Sequence, residues 1–169
     1  MIKKFLPLLF IALYLNSYAQ EENVESYYPL TKGISKTLTW YHGKYREIIG
    51  DTINLEGKTY TEIRQVFPPD TEIAIYVRRS NDTVYFFNEK SRKEKVFFGV
   101  SPNKGQQIGD GTVIKTNANL RTPAGKLTDL LVVKMEYSNE LSDTRYYKRG
   151  LGLVAVKNNN KLICYYIPD

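Results

Sequence analysis

From residue 36 onward, apolar positions recur at every second residue, the period of strands with one buried face. In Lys36-Thr-Leu-Thr-Trp-Tyr41, Leu38 and Trp40 share one face while Thr37, Thr39 and Tyr41 share the other. Residues 72–79 repeat the pattern with Ile73, Ile75 and Val77. Turn residues separate these runs: His42-Gly43-Lys44, Gly50-Asp51, Glu56-Gly57, Pro68-Pro69-Asp70 and Ser80-Asn81-Asp82. Glycine, asparagine and aspartate accept the positive φ of tight turns, and proline cannot donate to a strand ladder. Strands are therefore expected over 36–41, 45–49, 52–55, 58–66, 72–79, 83–87 and 96–98. Residues 99–111 read as a long polar loop or a boundary between two sub-sheets. Strands resume over 112–116, and Thr122-Pro-Ala-Gly125 turns the chain into 127–137, the most apolar long run after the first nineteen residues.

The last quarter carries the strongest hairpin signal. Two β-rich runs, 144–157 and 161–167, flank Asn158-Asn159-Asn160, and asparagine tolerates the positive φ that a tight hairpin demands. Gly150 and Gly152 interrupt the first run, which suggests a bulge or sharp bend. No segment beyond the first nineteen residues keeps a helical apolar period for three turns. The expected fold is all-β: a single antiparallel meander of about ten strands forming a strongly curved sheet, half-barrel or barrel, with at most short helices.

The first nineteen residues read as a signal peptide. Lys3 and Lys4 precede an apolar run over 5–15, and Ser17 and Ala19 suit cleavage before Gln20. The apolar run is shorter than the roughly 20 residues that span a bilayer. Residues 20–169 then form one β domain, exported to the periplasm or beyond the cell. No cysteine follows the expected cut, so no lipid anchor is expected. Removing the two leader lysines from 24 basic residues leaves 22 against 18 acidic ones, a net charge of +4. That excess is dispersed, and together with export it argues against nucleic acid as a partner. The one dense run, Lys90-Ser-Arg-Lys-Glu-Lys95, reads as a solvated hairpin loop or a patch for an anionic partner.

Candidate chemistry is sparse. His42, the single histidine, sits in a turn, and Cys164, the single cysteine, lies in an apolar strand where a buried thiol is unreactive. One histidine and one cysteine make no zinc site, and Gly105-Gln-Gln-Ile-Gly109-Asp-Gly111 lacks the lysine and following helix of a phosphate loop. No catalytic residue, metal ligand or cofactor is expected, and the protein is read as a non-enzyme. Asp51-Thr52-Ile53 and Asp82-Thr83-Val84 match a short pattern on which some exported bacterial proteins carry O-glycans, which makes Thr52 and Thr83 candidate acceptors.

Three stretches together resemble a loose group of bacterial secreted and envelope β-domains of the lipoprotein-carrier LolA type and its relatives. They are Tyr27-Tyr-Pro-Leu-Thr-Lys-Gly33 ahead of Trp40, Thr122-Pro-Ala-Gly-Lys-Leu127 ahead of an apolar strand, and Tyr146-Tyr-Lys-Arg-Gly-Leu-Gly-Leu-Val154. The resemblance covers nearly all of the chain after the leader and implies a curved antiparallel sheet or incomplete barrel. It carries over no catalytic residue.

The compositional outlier is tyrosine, with fourteen. Three adjacent pairs, Tyr27-Tyr28, Tyr146-Tyr147 and Tyr165-Tyr166, each place one ring on either face of a strand. The leading expectation is a binding domain whose concave, aromatic-lined face receives a lipid-like or other apolar ligand. Trp40, Tyr146, Tyr147, Tyr165, Tyr166, Lys148 and Arg149 are the candidate binding residues. The alternative is an accessory or immunity-type interaction module of the envelope, acting through an edge strand or the Lys90 to Lys95 loop.

Overall fold

The computed structural model describes residues 26–99, 102–137 and 141–168. The expected signal peptide over 1–19 lies outside these residues. Twelve strands follow in order: β1 (Ser35–Trp40), β2 (Gly43–Leu55), β3 (Lys58–Phe67), β4 (Thr71–Ser80), β5 (Thr83–Asn88), β6 (Lys93–Gly99), β7 (Gln107–Ile108), β8 (Gly111–Thr122), β9 (Gly125–Glu136), β10 (Ser142–Lys148), β11 (Gly152–Asn158) and β12 (Lys161–Ile167). They form one antiparallel sheet in the order β6-β5-β4-β3-β2-β1-β12-β11-β10-β9-β8-β7. Successive strands pair throughout, except that β6 and β7 fall at opposite ends of the order. The join that makes one sheet of two meanders is β1 on β12, through Thr37↔Ile167 and Leu38↔Tyr166. Thr39 extends the join with its side chain: Tyr165 N donates to Thr39 Oγ1 at 2.9 Å.

Curvature comes from irregularities in register. Shifts occur in β2 between Ile49 and Thr52, at Val84/Tyr85, at three places in β8, at Tyr146/Tyr147 and at Val156/Lys157. Each bulge bends its strand and adds local twist, so the sheet curls until its two edges nearly meet as a barrel. At that seam Gly109 has φ +55°, and a Cβ there would lie 2.9 Å from the Val96 carbonyl oxygen of β6. Glycine is what lets the two edges approach so closely.

The all-β expectation is met, and no described residue is helical. Two-residue turns form where expected, with Glu56 and Gly57 at φ 49° and 74°, and Asn159 and Asn160 at 45° and 65°. Three local expectations are corrected. Gly50-Asp51 does not end a strand but sits in the bulge of a single long β2. Residues 99–111 contain β7, whose pairing with β8 continues the sheet to its second edge. Gly150 and Gly152 do not bend one strand: the chain reverses there, so that Lys148 faces Gly152 across the β10–β11 ladder. The bulge lies a step earlier, at Tyr146/Tyr147. The merger into β2 removes one strand while β7 and the division of 144–157 add two, and twelve strands form where about ten were expected.

Burial divides along β9. Leu131 and Val133 join the cluster inside the curve, with Ile63, Val77 and Tyr147. Leu130 and Val132 join a second cluster with Leu120, Val154 and Ala155. An apolar run without alternation is the signature of a strand buried on both faces. On the β1–β6 side, by contrast, inward positions border open space.

Candidate ligand cavity

That space is a cavity of about 420 Å³ enclosed mainly by β1–β4, β10 and β11. Its walls are mostly apolar, with Ile49, Ile63, Phe67, Ile75 and Phe97 among them. At one end Trp40 and Ile73 line it while remaining 42% and 47% exposed, so the cavity meets solvent between the β1–β2 and β3–β4 turns. Tyr45 stacks on Phe67 just inside, with ring centroids 4.7 Å apart. The other end is closed by residues 26–30. Gly150 N donates to the Ser26 carbonyl at 2.9 Å, Tyr27 is buried, and Tyr28 sets its ring edge against Phe97 at 5.3 Å.

Polar groups interrupt this lining at inward positions. Lys36 is buried, and its Nζ bonds Glu47 Oε1 at 2.7 Å and the Leu151 carbonyl at 2.5 Å. Gln65 Nε2 donates to the other oxygen of Glu47 at 3.2 Å. This set lies on β1, β2 and β3 and is internally satisfied, as buried charge must be. Gly152 (φ +75°) leaves room for the lysine head, since a Cβ there would come within 3.2 Å of Nζ. On the facing wall β10 turns Asp143, Arg145 and Tyr147 inward. Arg145 Nη2 donates to Tyr137 Oη at 2.9 Å, and Tyr137 donates to Asp143, which also accepts from Asn158 at 2.9 Å. Burial pushes the Tyr28 hydroxyl well above the ordinary phenol range and raises that of Tyr147, which is bonded to Arg145.

No protein-family model matches the chain, and no curated protein matches it. Among solved structures, the fold is similar to that of a candidate lipoprotein from Parabacteroides distasonis. The TM-score is 0.54 at 15% sequence identity, covering 85% of this chain and 97% of that one. At this identity the likeness concerns the fold alone.

The structure brings together only part of the expected binding set. Trp40 and Tyr147 line the cavity. Tyr146, Tyr165 and Tyr166 pack instead against the second cluster. Lys148 Nζ reaches the Thr128 carbonyl at 3.4 Å, and Arg149 lies 4.4 Å above the Tyr27 ring. Thr52 is exposed beside the β2 bulge and Thr83 is half-buried at the start of β5. His42 is exposed in its turn, while Cys164 is fully buried with its thiol pushed up to about 12 by burial. Among the described residues no cluster of three or more His, Cys, Asp or Glu could hold a metal.

The residues that sequence reasoning missed are Lys36, Glu47, Gln65 and Arg145. Their signal was available: each occupies the inward register of its strand, with Glu47 between Tyr45 and Ile49, Gln65 between Ile63 and Phe67, and Arg145 two before Tyr147. A polar residue at an apolar beat is a candidate site residue.

Proposed function

We propose that this protein is a non-enzymatic binding domain of the bacterial envelope that holds an apolar or amphiphilic small molecule inside its curved sheet. The observation that carries this reading is the cavity of about 420 Å³, within the roughly 300–1,000 Å³ of ligand pockets. Its mostly apolar wall, its few convergent polar groups and its solvent-facing end fit the same role. The interaction-module alternative draws less support. Glu94 of the Lys90 to Lys95 run is held by Arg78 and Lys58, and the edges of β6 and β7 face each other at the seam.

The test is native mass spectrometry of protein purified from its own envelope fraction. A retained small molecule of matching size is the expected result. An empty protein that co-purifies with a stoichiometric protein partner would overturn the reading in favour of the interaction module.

A further inference from the structure

We propose that the occupant is a single-chain amphiphile with an anionic headgroup, a carboxylate or phosphate ester, and that Arg145 binds that headgroup. This deepens the reading above and rests on it. Three observations carry it.

The first is where Arg145 stands. The 420 Å³ cavity and a second one of about 270 Å³ share Phe97, Arg145 and Tyr147 in their walls. The second cavity lies along the β6–β7 seam and includes Lys95, Asp110 and the Gly109 backbone. Arg145 therefore stands in the wall shared by an apolar chamber and a more polar one, the position of the boundary between tail and head in an amphiphile.

The second is what Arg145 lacks. Every other charge turned into the larger cavity is met: Lys36 by Glu47, and Asp143 by Asn158 and Tyr137. Among the described residues Arg145 has phenol partners, Tyr137 and Tyr147, and no carboxylate within ion-pair reach. Asp143 is joined to it through Tyr137 Oη. A half-buried guanidinium bonded only to neutral hydroxyls keeps its positive field and most of its five donors, whose planar fork matches carboxylate and phosphate oxygens. Attraction between such charges strengthens as water is excluded.

The third is size. At roughly 30 Å³ per non-hydrogen atom, the share of a water in the liquid, 420 Å³ admits about fourteen heavy atoms. That accommodates one chain of about ten carbons, with its headgroup at Arg145 between the two cavities.

The test follows the emission of Trp40, the single tryptophan, during titration with decanoate, decyl phosphate and decanol. The expected result is that the anionic probes bind about tenfold tighter than decanol or more, the effect of hydrogen bonds to a charged group. Decanoate against decyl phosphate separates a carboxylate ligand from a phosphate ester by whichever binds tighter. Arg145→Gln should erase the preference by lowering the affinity for the anionic probes far more than that for decanol, and a preference that survives the substitution would overturn the role of Arg145. Equal binding of anion and alcohol by the native protein would overturn the headgroup role while leaving the chamber standing. Absence of binding by all three probes would overturn the chamber itself.

Discussion

Two arginines on neighbouring halves of the sheet show how differently the same side chain can be used. Arg78 on β4 is gripped by Glu94: Nη2 to Oε2 at 2.9 Å, with Nε on Oε1. Lys58 adds 2.6 Å to the same carboxylate and the Tyr60 hydroxyl 2.7 Å. That knot ties β3, β4 and β6 together over the packed Tyr60–Phe87 ring pair, whose centroids are 5.3 Å apart. Among the described residues, Arg145 on β10 has hydroxyl partners, Tyr137 and Tyr147, and borders a cavity. Charge with all its partners in place acts as a fastening. Charge with neutral partners in a cavity wall is the kind that the headgroup proposal requires.

The largest effect that separates the two is on stability. Glu94→Gln leaves Arg78 and Lys58 without their anion and should cost about 2–3 kcal/mol, given partial exposure, or roughly 5–10 °C in thermal midpoint. Arg145→Gln should stay within about 1 kcal/mol of the parent, because it removes no ion pair. Equal losses in the two melting curves would abolish the distinction.

Acid should act on the first arginine alone. Hydrogen bonding from Arg78, aided by Lys58 and Tyr60, holds the Glu94 carboxyl at about 2. Its folded value lies below the unfolded one, so its stabilisation is complete above the ordinary carboxylate range and is lost as pH falls from about 4.5 towards 2. Urea unfolding across that window should show an advantage over Glu94→Gln of ~2 kcal/mol at neutral pH that vanishes near pH 2. A constant difference would refute the role given to Glu94.

A third experiment addresses the space rather than the charge. Ile75 lines the cavity and is half-buried, so Ile75→Phe extends into open volume. Calorimetric titration should show decanol affinity reduced by about fivefold or more, while stability changes by less than about 1 kcal/mol, since no packed neighbour is displaced. A large loss of stability would mean that the space is already filled. The smallest effect concerns Cys164, a buried group with no ligand role. It should resist a thiol reagent at pH 8 in native protein and react on unfolding, and rapid native labelling would show that the β12 face opens.

Much of the fold was legible because its signals are local. Alternation in residues 36–41 and 72–79 gave β1 and β4, and Glu56-Gly57 and Asn159-Asn160 announced their turns by residue type. The cavity was half legible. Trp40 and Tyr147 were found through aromatic content, but attention to tyrosine pairs led away from Lys36, Glu47, Gln65 and Arg145. For Tyr146-Tyr147 and Tyr165-Tyr166, strand alternation says that one ring turns inward without saying which. The bulges at Tyr146/Tyr147 and Val156/Lys157 shift the register beside both pairs, so counting from a neighbouring strand misassigns the faces.

By itself, then, the sequence determined an all-β chain, most strand and turn positions, and the inward beat on which polar residues stand out. Period-two burial and turn chemistry need only a few adjacent residues. Tertiary structure decided that the two meanders join through β1 and β12, that the edges meet at Gly109, and that β9 is packed on both faces while the β1–β4 side keeps a chamber. Closure and empty volume sum the twist of twelve strands and the placement of every bulge. No local stretch contains that sum.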